Sequence, residues 1–271
     1  MSNFLCGFLL VGLGLAAAYR VLVAEYLALA LILVAGIPHG AFDLHWARRK
    51  WPAASSVSIA AIYLVIGAAM SLLCLWLPAA GLTAFLVLSA VHFVEGELPH
   101  SRPVTAVSFG LASIALPIAL HLPSAGGYLS YFLSAAQLRI LAPGLLWVGP
   151  LLFLLCLTLV SLDAIQGRRT ESIQRLLCLG GWLVLPPLAG FAVWFIGRHS
   201  WQYLLACRSH FADAPKGLRD FIVISLLALL LLVPLLLRFD PRDLNQLFAA
   251  SMILIAGLTL PHMIVTHEPA K

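Results

Sequence analysis

The sequence predicts an all-α fold, a polytopic integral membrane helical bundle with roughly eight to ten apolar segments, and three observations carry that expectation. Hydrophobic residues make up 62% of the 271 and charged residues only 10%, where soluble domains hold about 45–50% and about 25%. Mean hydropathy is +1.01. The apolar residues also gather in runs near the roughly 20 residues that one bilayer crossing takes. Lipid-exposed backbone must satisfy its own hydrogen bonds, and these runs lack the alternation of a membrane barrel, so each is expected to be helical.

The runs lie at about 4–18, 22–37, 57–77, 81–98, 104–121, 143–165, 173–185, 188–207, 218–237 and 244–264. Met1–Ala18 has no positively charged start and no clear cleavage site, so it is expected to stay as the first helix. The 45–56 stretch carries Arg48, Arg49 and Lys50, which favours a cytoplasmic loop. Residues 122–142, with Gly126, Gly127, two tyrosines and Arg139, are polar for a crossing and read as interfacial or re-entrant. From Ile173 to Cys207 a continuous helix would reach about 52 Å against a hydrocarbon core of about 30 Å. Pro186-Pro187 is the expected break. With no internal repeat at a fixed period, no low-complexity tract and no charge run long enough to be a tail, residues 1–271 are expected to form a single transmembrane domain in the cell (inner or plasma) membrane.

Sixteen Lys and Arg against eleven Asp and Glu give a net charge of +5, but the positives stand singly or in small groups between apolar runs. That pattern suits loops facing anionic lipid and not a nucleic-acid surface. The five cysteines lie in or beside apolar segments with no CxxC, so they read as packing residues without disulfides. The chain has no HExxH, no clustered HxxxH boxes, no GxSxG and no Walker loop, which leaves a zincin protease, a membrane desaturase, an esterase and an ATPase without support.

Nine histidines are many for so uncharged a chain, and four have contexts that stand out: Pro38-His39-Gly40 with Asp43, His92-Phe93 with Glu95 and Glu97, Arg198-His199-Ser200, and Pro261-His262-Met263. An ionisable group at membrane depth is costly and faces a cavity or a partner. A lone imidazole there can simply pack and hydrogen-bond a carbonyl; several from different helices can converge on one cation without burying compensating charge. Zinc, copper and non-haem iron all suit such ligands. Asp43, Glu95 and Glu97 sit four, three and five residues from a histidine, close enough along a helix to orient an imidazole. Phe42, Phe93, Trp194, Phe195 and Trp201 flank the histidines and are candidates to line a flat tunnel. The remaining five, His45, His100, His121, His210 and His267, lie nearer the loops.

Pro-His-Gly followed by Asp, His-Phe followed by acidic residues, Phe-x-x-x-His-Ser and a C-terminal Pro-His-Met, in that order from His39 to Met263, resemble the Brp/Blh family of membrane-embedded β-carotene 15,15′-dioxygenases. The resemblance implies cleavage of the central double bond of β-carotene with O2 to two all-trans-retinal, using Fe(2+) held by histidines. Residue by residue, it makes His39, His92 and His199 the catalytic iron ligands. The family's fourth ligand is a histidine four residues after the His-Ser one, where this chain has Tyr203. Tyr203 is one candidate for that place, and His262 or His210 is another. Two alternatives stay open: a relative that binds a carotenoid or retinal without cleaving it, for which Tyr203 speaks, and a small His-dependent transporter, against which the missing two-half repeat counts.

Overall fold

A computed structural model of the chain describes residues 2–207 and 215–266, without the side chains of residues 2, 38, 39, 206, 207, 215–221 and 223. Every described regular element is helical: α1 (Ser2–Tyr19), α2 (Val21–His39), α3 (Asp43–Lys50), α4 (Ser56–Trp76), α5 (Pro78–Glu97), α6 (Pro103–Ala119), α7 (Leu122–Leu129) and α8 (Ala135–Ile165). There follow α9 (Arg169–Val184), α10 (Pro187–Trp194), a π-helical turn over Phe195–Ser200, α11 (Trp201–Cys207), α12 (Pro215–Leu230), α13 (Leu232–Leu236) and α14 (Leu244–Thr266).

The helix ends follow from local chemistry. Ser55 caps α4 by accepting from the Ser58 N–H at 3.0 Å, and Ser134 with Gln137 forms a reciprocal capping box on α8. Pro78, Pro103 and Pro187 each open a helix where the missing N–H costs nothing. α9 stops before Pro186-Pro187, as its sequence requires. α12 breaks at Leu231, because the ring of Pro234 excludes the carbonyl four residues earlier.

Among the described residues, five helices are long and apolar enough to cross a membrane: Val21–Lys50, Ser56–Trp76, Pro78–His100, Ala135–Ile165 and Leu244–Thr266. A sixth arises if α6 and α7, bent by 94° at their junction, count as one broken span. The expected eight to ten segments is therefore somewhat higher than the count of crossing-length helices among the described residues. Four expected runs account for the difference: 4–18 and 173–185 form helices shorter than a crossing, 188–207 is helical but carries Arg198, His199 and Gln202, and 218–237 is interrupted at Leu231. The 45–56 loop is also shorter than expected, since α3 continues helically to Lys50 and leaves only Trp51–Ser55 between helices. The polar 122–142 stretch divides between the bent α7 and the start of α8.

The core gathers around Trp182, Trp194 and Phe109, all fully buried among α1, α2, α6, α9 and α10. On the other side α14 packs against α4 so closely that a Cβ on Gly67 would come within 2.7 Å of the Gly257 carbonyl. Small residues at a helix crossing permit this approach inside lipid, where packing and not the hydrophobic effect draws helices together. Cys6, Cys74, Cys156 and Cys178 are buried free thiols, and the Cys207 side chain lies outside the described residues.

Candidate metal centre

Three histidines from three distant parts of the chain meet inside the bundle. His92 comes from the last turns of α5, His199 from the π-helical turn and His262 from α14, directly after Pro261. The His92 ring lies 5.0 Å from that of His199 and 5.1 Å from that of His262, edge to face in both cases. Two imidazoles bonded to one ion at about 2.0–2.2 Å have ring centres roughly 4.6–5.3 Å apart. The observed spacing falls within that window. Among the described residues, no three His, Cys, Asp or Glu side chains form a complete metal-holding group. His39 ends α2, but its side chain lies outside the described residues, as do His210 and His267.

His262 is held by a carboxylate. Its Nδ1 stands 2.7 Å from Asp43 Oδ1, and the Tyr63 hydroxyl donates to Asp43 Oδ2 at 2.7 Å. Asp43 is only 2% exposed and opens α3, where the helix N-terminus favours a negative charge. A proton on Nδ1 donates to that carboxylate and leaves Nε2 as the lone-pair nitrogen. This chain of carboxylate and imidazole is the usual support behind a metal-ligating histidine. Gly40 leaves room for it: a Cβ there would approach Asp43 Oδ2 at 3.3 Å and His262 Nδ1 at 3.8 Å.

His199 is held by aromatic rings. It stacks on Trp194 at 5.4 Å and on Phe195 at 5.7 Å, and the edge of Phe93 meets it at 4.9 Å. Tyr203 lies one turn further along, with its ring 5.8 Å from His262. The acidic residues of α5 separate: Glu97 engages Arg175 and Arg198 instead of an imidazole, because two buried guanidiniums need its charge more than a neutral ring does. Glu95 is half-buried on the same helix.

All three histidines face a cavity of about 620 Å³, whose wall is almost wholly apolar. Phe93 and Phe195 stand on that wall. Trp194 instead lies fully buried behind His199, Phe42 is buried in the 3-10 turn after α2, and Trp201 begins α11 away from the wall. Phe85, Tyr63, Tyr128, Phe191 and Phe248 line the cavity without having been singled out in the sequence. Tyr63 had one visible signal, a phenol in the middle of an otherwise lipid-length apolar helix.

The fold and site thus define a class: a polytopic helical bundle with membrane-length apolar helices and an imidazole cluster on an apolar cavity. Comparison with known proteins narrows it. The chain belongs to the β-carotene 15,15′-dioxygenase family, which it matches over residues 30–268, and it is an enzyme of that family. A relative from uncultured marine bacterium 66A03, named "Beta-carotene 15,15'-dioxygenase", is 26% identical over 265 residues, covering 89% of this chain and 92% of the relative. No solved structure matches the chain.

Proposed function

We propose that the protein cleaves β-carotene at the central 15,15′ double bond with O2, giving two all-trans-retinal, and that Fe(II) held by His92, His199 and His262 is its cofactor. The observation that carries this reading is the meeting of three imidazoles on the wall of a cavity lined by hydrocarbon. Neutral imidazoles with open positions suit non-haem iron and need no first-shell carboxylate. His39 and Tyr203 complete the set that the family resemblance implies. When bound, iron supplies the redox chemistry that lets O2 react with a closed-shell polyene. The reaction balances without another reductant: one C=C bond breaks, two C=O bonds form, and each aldehyde keeps one oxygen atom.

The chain's own residues have definable tasks in it. Asp43, steadied by Tyr63, would hold the His262 proton on Nδ1 and so leave Nε2 with a lone pair to offer a metal. Trp194 and Phe195 fix the plane of His199. Phe191 stacks on Phe195 at 5.3 Å and continues a flat aromatic wall suited to a conjugated rod. β-Carotene is about as long as a bilayer is thick, roughly 30 Å, so it enters sideways from lipid. The apolar wall keeps water from the reacting carbons. The membrane in question is the cell's inner or plasma membrane.

The test is expression in a bacterial host that accumulates β-carotene, with iron supplied, followed by chromatography of the extracted pigments. Retinal appearing with matching loss of carotene supports central cleavage. Unchanged carotene, with the protein inserted in the membrane, contradicts it and favours a pigment-binding relative, the reading to which Tyr203 lends weight.

A further inference from the structure

Beside the imidazole cluster stands a polar network that the proposed chemistry does not use. Glu97 ends α5, five residues beyond His92, and Arg198 immediately precedes His199 in the π-helical turn. Arg198 donates from Nε to Glu97 Oε1 at 2.6 Å and from Nη2 to Oε2 at 2.8 Å, a two-pronged pair. Its Nη1 donates to Gln174 Oε1 at 2.6 Å and to Glu171 Oε2 at 3.0 Å. Arg175 donates to Glu97 Oε2 from Nε at 3.1 Å and from Nη2 at 2.8 Å. Gln174 Nε2 in turn donates to the Gly197 carbonyl at 3.1 Å. Both arginine side chains are 0% exposed and that of Glu97 is 4% exposed, while Glu171, at 34%, forms the outer rim.

Stability alone explains such a network poorly, since buried ion pairs can often be replaced by packed apolar side chains with no loss. What apolar packing cannot supply is direction. The guanidinium is a rigid planar fork, and a carboxylate gripping two of its donors fixes both its distance and its angle.

Direction matters here because of what the network grips. A π-helical turn is rare and its wider winding is not held by local propensity, yet such turns recur at functional sites. Two neighbouring residues of this one are tied to α9: Arg198 through its side chain and Gly197 through its carbonyl. Gly197 is also seated against α1, where a Cβ would come within 2.6 Å of Cys6 Sγ. His199 is the next residue in the same turn, so fixing Arg198 restricts the direction in which His199 points. The carboxylate that fixes it ends the helix that carries His92.

We propose that Glu97 and Arg198 are positioning residues, whose two-pronged pair, backed by Gln174 and Arg175, sets the separation and angle between the His92 and His199 rings. This rests on the reading of those rings as iron ligands. Arg198→Lys keeps the charge and loses the fork. It is to be compared with wild-type protein, both purified in detergent, by thermal melting, iron content, and kcat and KM for β-carotene. The pair acting as a positioner predicts kcat lower by roughly 10–100-fold, or a matching loss of iron, with KM within about twofold and the melting transition retained. Wild-type kcat and iron overturn the inference, including where the melting temperature falls, because a merely structural pair would give that result. If Arg198→Lys does not fold, Gln174→Ala decides: it leaves the Glu97 pairs in place and releases the Gln174 bonds to Arg198 Nη1 and to the Gly197 carbonyl. Loss of kcat by about threefold or more at unchanged melting supports the inference, and wild-type kcat overturns it. Wild-type protein that neither holds iron nor cleaves carotene contradicts the functional reading itself, before any variant is compared.

Discussion

Asp43 is the residue whose role the chain order hides most. Its spacing points to His39, four positions earlier, yet its oxygen meets His262, 219 positions later. Sequence spacing reveals partners along one helix and is silent about partners between helices, which is also why Glu97 reads as an imidazole partner and turns out to hold arginines. The identity of the chemical groups was legible; their pairing was not. Removing the carboxylate's charge with Asp43→Asn should weaken iron binding or activity by about 10–100-fold, the usual cost of losing such a support, measured as iron per chain and turnover. Tyr63→Phe, which leaves Asp43 in place, should cost less in the same assay. His92→Ala and His199→Ala should each abolish activity and iron while the protein still inserts, and cleavage surviving either change would remove that residue from the site. Tyr203→His should keep or raise turnover, since it restores the donor the family resemblance implies; a fall would give Tyr203 a task of its own.

At the scale of elements, apolar length was read well and continuity less well. The break at Pro186-Pro187 and the irregular 122–142 stretch follow from residues visible in the chain, and both occur. The π-helical turn does not follow from any of its six residues, because it depends on α1 and α9 gripping it from outside. The α4–α14 crossing shows the same dependence. Gly67 and Gly257 look like ordinary membrane-helix glycines, but their closeness brings Tyr63 and His262 to the same carboxylate. Gly257→Val pushes into the Gly67 carbonyl and the Ser71 side chain and should destabilise the fold by about 1–3 kcal/mol, seen as a lower melting temperature in detergent. Because the crossing sets Asp43 and His262, iron content should fall in the same variant. A melting curve identical to wild type would mean that the two helices part without cost.

Taken whole, the molecule places its polar chemistry inside and its apolar surface outside, the reverse of a soluble enzyme. Lipid-facing helices such as α8 are exposed along much of their length, while Asp43, Glu97, Arg175 and Arg198 are buried. Composition alone indicated this inversion, and four short histidine motifs indicated the family, so both were accessible before any coordinates. The meeting of His262 with His92 was not, since it requires helices that lie 170 positions apart in the chain to face one cavity. That meeting is the centre of the account, and iron stoichiometry tests it most directly. Wild-type protein and His262→Ala are to be purified in detergent under the same iron supply and their bound iron measured per chain. The account predicts about one iron per wild-type chain and a large loss in the variant, as expected when one of a few nitrogen ligands is removed. Wild-type protein that cleaves carotene without iron, or a His262→Ala protein that holds iron as wild type does, would contradict it.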